Sequence, residues 1–501
     1  TYFQSGTYIM MTINSVWYAF LITLATLLIS YPTAYFLHYA KHKQLWLLLI
    51  ILPTWINLLL KAYAFIGIFS QDGGVNSFLG MFGIAPQQFL FTDFSFIFVA
   101  AYIEIPFMIL PIFNAIEELP ENLVNASRDL GAKGWQTFTK VVWPLTISGV
   151  KSGVQAVFIP SLSLFMLTRL IGGNRVITLG TAIEEHFLTT MNWGMGSTIG
   201  VVLIVAMFVI MFLTGERKKK GSAVMKRKFK WSNLYLIFVF ICLYVPIFYL
   251  VIYSFSTGDR MSNYSGFTWK HYAELFADTR MIQIVLDTLL VALLSSLIAT
   301  IIGALGALAI DRTSRPVVKN TVLSLNNILM VSPDVIIGAS FLIFYTALKV
   351  PLGFWSVLMS HIAFSIPIVV LMILPRLQEM SHSMLDAARD LGASNYQVLT
   401  RVIVPYITPG IFSGFFMAFT YSLDDFAVTF FVTGNGFETL AVEIYARARQ
   451  GISLEINALS GVMFVFALLL VVGYYFIQQA GQSRRAKHKR ESEALLNETT
   501  H

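Results

Sequence analysis

The chain repeats itself at a fixed distance of 261 residues, and no other property of the sequence restricts its fold as tightly. Pro106 is matched by Pro367, Gly131 by Gly392, Pro144 by Pro405, Gly149 by Gly410, Gly153 by Gly414, Gly173 by Gly434, and Thr178-Leu179 by Thr439-Leu440. One offset held over that length means two homologous halves running in the same direction. Of the residues, 56% are hydrophobic and only 12% charged, which is far from a soluble norm. The expected fold is therefore all-α: a polytopic membrane protein of two parallel bundles, five to six transmembrane helices each, related by an axis along the membrane normal.

Apolar segments near bilayer length run approximately over 13–39, 44–68, 95–116, 145–165 and 197–214, then over 233–255, 284–310, 320–347, 355–375, 406–428 and 457–479. With Gly149, Gly153 and Pro160, the 145–165 segment is expected to be either broken or tightly packed. Between the sets lies a basic junction, Arg217-Lys218-Lys219-Lys220 and then Met225-Lys226-Arg227-Lys228, so the halves divide as 1–224 and 225–501 and Met225 resembles a second start. Five segments in one half against six in the other places the missing N-terminal helix before Thr1, and no secretory leader pattern is expected. The tail after Gly481 reads as a solvated end.

Threading the segments puts Lys41, Lys43, the loops 117–144 and 376–405, the junction and the tail on one side. The dense Lys and Arg clusters mark that side as cytoplasmic, and the same bias accounts for the formal charge of +7 without nucleic acid. Both loops carry the best-conserved stretch of the repeat: Asn125-Ala126-Ser127-Arg128-Asp129-Leu130-Gly131-Ala132 and Asp386-Ala387-Ala388-Arg389-Asp390-Leu391-Gly392-Ala393. Leu123, Ala126 and Leu130 suggest a short amphipathic helix that Gly131 ends; a second short helix follows through Trp135, Phe138 and Val142 to Pro144. Two polar hairpins at matched spacing in a hydrocarbon-compatible chain are expected to be handles for a partner. Their small residues admit a close backbone, and Leu130 and Leu391 offer apolar knobs. The plain alternative is an ordinary amphipathic loop, which two matched copies disfavour.

These hairpins resemble the EAA loop of ABC importer permeases, with Asn125 and Asp386 in place of the usual glutamate. The first half is similar to the B-type permease of spermidine/putrescine importers through Pro53-Thr54-Trp55-Ile56-Asn57 and Pro160-Ser161-Leu162-Ser163-Leu164-Phe165 followed by Gly172-Gly173. The second is similar to the C-type permease through Ser332-Pro333-Asp334, Gly353-Phe354-Trp355-Ser356, Ser360-His361, Asp424-Asp425, Phe431-Val432-Thr433-Gly434 and Glu455-Ile456-Asn457-Ala458-Leu459. The resemblance implies a type I importer transmembrane domain in a bacterial cytoplasmic membrane, gripped at the hairpins by a cytoplasmic ABC ATPase homodimer and served by an extracellular polyamine-binding protein. Gly131 and Gly392 then shape the handles, while Arg128, Asp129, Arg389 and Asp390 hold the hairpin or pair with the ATPase. ATP and Mg would belong to that partner, since the chain has no G-x-x-x-x-G-K-[ST] loop and is expected to bind no cofactor itself.

A linear polycation crossing hydrocarbon needs carboxylates and aromatic faces. The candidates are Glu104, Asp334, Asp424 and Asp425, with Trp55, Tyr63, Tyr102 and Tyr421 as cation–π surfaces. Each has a plainer role: Glu104 paired with Lys61, Asp334 capping a half-helix after Pro333, one of the two adjacent aspartates facing water, the aromatics in packing. Glu184, Glu185 and Glu443 are outer residues that guide cations or simply sit at the surface. His361 has no ligand set around it, so an interhelical hydrogen bond is expected rather than a metal, and no metal site is expected elsewhere. The single Cys242 excludes a disulfide framework. Two other transport readings remain, a fused permease for ferric iron or thiamine and an ATPase-independent secondary transporter, and beside them a membrane scaffold or receptor.

Overall fold

The computed structural model describes residues 5–214 apart from 174, 232–451 apart from 259–260 and 262–263, 453–469, and 472. The basic junction 217–230, the tail and the end of the 457–479 segment lie outside the described residues. Hydrocarbon offers backbone groups no partner, so a spanning chain satisfies them within helices, and the described residues are organised that way. We label eleven helices: α1 (Gly6–His38), α2 (Leu58–Phe69), α3 (Asp93–Glu117), α4 (Glu121–Asp129), α5 (Trp143–Ser161), α6 (Trp193–Thr214), α7 (Ser232–Tyr253), α8 (Thr279–Arg312), α9 (Phe354–Glu379), α10 (His382–Asp390) and α11 (Val404–Asp424). The pairs α3 and α9, α4 and α10, and α5 and α11 each begin 261 residues apart.

Each half is built on three mutually packed helices, α1, α3 and α5 in the first and α8, α9 and α11 in the second. The repeated glycines are where these helices cross. A Cβ on Gly149 would come within 2.5 Å of the Ala115 Cβ, and one on Gly410 within 3.0 Å of the Met372 carbonyl oxygen. The 145–165 segment is thus tightly packed along α5 and broken at its end, where the helix stops at Ser161 just after Pro160 and a short helix restarts at Phe165. The two halves are joined by α7, which lies against α1 and α2. Its residues exchange buried hydrogen bonds with the first half: Tyr102 donates to the Leu243 carbonyl (2.6 Å) and Tyr244 to that of Leu49 (2.9 Å).

Seven helices among the described residues are long and apolar enough to cross a membrane, nine if two bent pairs each count as one span. Those pairs fall on the apolar segments 44–68 and 320–347, the second broken at Pro333 as the half-helix reading of Asp334 supposes. Leu45–Trp55 and Leu58–Gly80 meet at 85°, and Pro316–Val331 and Asp334–Ala347 at 105°. The cause is local. Pro53 sits in a 3-10 turn over Leu52–Trp55, after which Ile56 and Asn57 are extended; Pro333 forces its predecessor Ser332 out of helical geometry, to ψ 136°. Broken helices at membrane depth are tolerated where they are enclosed by protein or line a cavity.

Candidate functional site

The hairpins form matched ends. In α4 the Gly131 N–H bonds the Arg128 carbonyl (2.8 Å) and the Ala132 N–H that of Ser127 (3.1 Å); in α10 the Gly392 N–H bonds Arg389 (2.8 Å) and the Ala393 N–H Ala388 (3.1 Å). This is the Schellman termination, which needs a left-handed residue, and the φ values are 80° at Gly131 and 83° at Gly392. The chain then runs through a short helix into a widened, π-type turn over Phe138–Val142 and Leu399–Ile403 before Pro144 and Pro405. A proline has no N–H and its ring crowds the preceding turn, so the widening accommodates it. The buried face of α4 is not the expected one. Val124 is enclosed with Leu119 and Val142, whereas Leu123 is exposed; at the repeat position Leu385 packs inward likewise.

Facing outward are Asn125, Ala126, Asp129, Leu130 and Gly131, and in the second copy Asp386, Ala387, Arg389, Asp390, Leu391 and Gly392. Ser127, Arg128 and Ala388 are half-buried, with Ser127 bonded to Thr137 across the hairpin. Leu130 and Leu391 are 87% and 89% exposed. The two bare leucines stand at equivalent tips of the repeat.

The second constellation lies in the interior, where the two bent spans meet α3 and α11. Asp424, last residue of α11, accepts a hydrogen bond from the Leu58 N–H (2.9 Å) at the start of α2, where the helix dipole favours an anion. Asn57 caps the same helix at the Leu59 N–H. One turn on, the buried Lys61 donates to the Pro53 carbonyl (3.2 Å) and stands within electrostatic reach of Asp424 and Glu104. Glu104 is buried in α3 and, among the described residues, makes neither a hydrogen bond nor an ion pair within 4.0 Å, so direct pairing with Lys61 is not observed. Asp334 opens the second half of its bent span without capping it; its partner is the Tyr421 hydroxyl (3.0 Å). Both are exposed, which places them on open space. Trp55 lines a small cavity with Asn57, Thr420 and Asp424. Three carboxyl groups, one amine and an indole face are thus gathered in one region.

The remaining candidates are placed differently. Asp425 caps the Ala427–Val432 helix, accepting from the Thr429 N–H (2.9 Å) and hydroxyl (2.8 Å). His361 bridges Ser422 (2.6 Å) and Thr429 (2.8 Å), an interhelical link that completes this buried polar knot. Tyr63 and Tyr102 are fully enclosed, Tyr63 bonding the Ser453 carbonyl. No group of three or more metal-ligating side chains occurs among the described residues. Glu184 is ion-paired with Arg169 (2.8 Å), and Glu443 with both Arg280 (3.0 Å) and Arg447 (2.7 Å). One contact was not anticipated. At the ends of α5 and α11 remote from the hairpins, Phe165 and Phe426 meet with centroids 5.7 Å apart, and Phe430 and Phe431 close around them. Phe426 is Phe165 plus 261, so the repeat contained the signal.

The profile of the binding-protein-dependent transport system inner membrane component family matches residues 1–215 and 299–487. The chain belongs to this family. Spermidine/putrescine transport system permease protein PotC of Haemophilus influenzae is 37% identical to the permease over 245 residues, covering 49% of this chain and 95% of PotC. PotB of the same organism is 36% identical over 204 residues, 40% of this chain and 71% of its own, and the putrescine permease PotI of Escherichia coli K12 is 32% identical over 262 residues, 51% and 93%. The permease is thus a multi-pass membrane component with two family-type halves in one chain.

Proposed function

We propose that this permease is the membrane-spanning pathway of an ATP-driven importer for polyamines such as spermidine and putrescine, with its hairpins in the cytoplasm. The observation that carries the coupling is the pair of equivalent hairpins presenting Leu130 and Leu391 bare at one end of the molecule. A dimeric ATPase gripping both would draw the halves together or apart about their common axis. A binding protein delivers substrate to the opposite end, where Phe165 and Phe426 close the passage. Glu104, Asp334 and Asp424, with Trp55 and Tyr421, receive the amines. The substrate class is supported by this acidic interior and by the names of the relatives.

The test is reconstitution of the chain with its ATPase and binding protein in lipid vesicles. Spermidine or putrescine stimulates ATP hydrolysis and accumulates inside if the proposal holds. Stimulation by ferric iron or thiamine instead would overturn the substrate; accumulation without an ATPase would overturn the coupling.

A further inference from the structure

We infer that Lys61 is a specificity-determining residue: a tethered ammonium that stands in the chamber in place of one substrate amino group and so biases the number of charges the substrate carries. This rests on the polyamine reading of the interior site. Lys61 is 4% exposed, one turn beyond the break that opens α2. Its ammonium has three hydrogens to donate, and its hydrogen bond among the described residues goes to one backbone carbonyl, Pro53, at 3.2 Å. Glu104 on α3 and Asp424 on α11 are its electrostatic neighbours, yet neither carboxylate comes within 4.0 Å. Glu104, 5% exposed, has no hydrogen bond among the described residues.

An amine and two carboxyl groups therefore stand close without touching, Lys61 and Glu104 buried and Asp424 half-buried on the cavity beside Trp55, with bonding capacity unmet on both sides. Buried charges are costly unless paired, so the arrangement invites a further ammonium between them. A primary amine on a methylene chain is chemically the end of a lysine. Substrate and Lys61 thus compete for the same carboxylates, from opposite halves of the molecule. Removing Lys61 leaves the chamber more negative by one charge, which favours a trivalent amine over a divalent one.

Uptake of radiolabelled spermidine and putrescine by cells carrying the complete importer tests this. One charge a few ångströms away alters the ratio by roughly fivefold in water-like surroundings and by about a thousandfold at an effective dielectric of about 20, so a change of about tenfold or more is expected. Lys61→Met is expected to raise the spermidine-to-putrescine uptake ratio by that order, Lys61→Arg to leave it near wild type, and Lys61→Met with Glu104→Gln to return it. A merely structural lysine would lower both fluxes together. An unchanged ratio in Lys61→Met overturns the inference while wild-type uptake upholds the polyamine reading; if Lys61→Met abolishes all flux, a ratio that Glu104→Gln alone fails to move in the opposite direction, toward putrescine, overturns it equally. Absence of polyamine uptake by the wild type overturns the reading beneath it.

Discussion

At the scale of single residues, two adjacent aspartates separate by what their oxygens touch. Asp424 accepts one N–H across the halves and otherwise faces the chamber; Asp425 is committed to its own helix. Asp424→Asn keeps an acceptor for Leu58 and loses the charge, so uptake should fall tenfold or more, on the order of an unpaired buried amine, with little change in thermal unfolding. Asp425→Ala removes the acceptor of the Thr429 N–H and hydroxyl, and should cost roughly 1–2 kcal/mol of stability by thermal unfolding in detergent. Equal behaviour of the two would contradict this division. The sequence marks both as intramembrane acids, because acids there are rare. It does not tell them apart, since the distinction depends on an N–H 366 residues away.

At the scale of elements, the hairpin was legible in outline: glycine, proline and the short helix fall where expected. Its inward residue was not, because Leu123 and Val124 are equally apolar and the packing surface alone selects between them. The break at Pro333 was legible as a half-helix start, whereas the one at Pro53 was not, because hydropathy averages over a window and is blind to a turn inside it. Nothing lies within 4 Å of a Cβ built on Gly131 or Gly392, so alanine there meets no clash and only the backbone penalty of about 1 kcal/mol. We expect Gly131→Ala with Gly392→Ala to keep the fold, loosen the hairpins and lower substrate-stimulated ATP hydrolysis severalfold. Leu130→Asp with Leu391→Asp should abolish co-purification of the ATPase while leaving the unfolding temperature unchanged; retention of the ATPase would remove the leucines from the grip.

At the scale of the whole molecule, a shared ion-pair network ties segments together at the end remote from the hairpins. Burial alone would raise the Glu443 carboxyl, but hydrogen bonds from Arg447 and Arg280 outweigh it and hold it below its ordinary value of 4.5. Arg447 also reaches Asp278 (3.1 Å) and Glu455 (2.7 Å), so three segments share one knot. A carboxylate lowered on folding contributes stability that is fully present above its ordinary range and is lost as pH falls through its lowered folded value. The unfolding temperature should therefore hold from neutrality to about pH 5 and decline below it, and Glu443→Gln should flatten that decline; an unchanged slope would relieve Glu443 of the role. The parallel halves themselves were readable from the offset of 261 alone.

That same offset gives the meeting of Phe165 and Phe426 a mechanical meaning. Two rings that touch across the axis of their own symmetry travel in opposite directions whenever the halves move alike. In the proposed importer, equal and opposite displacements of the two halves add at this contact, so each half need travel only half of the separation the rings require.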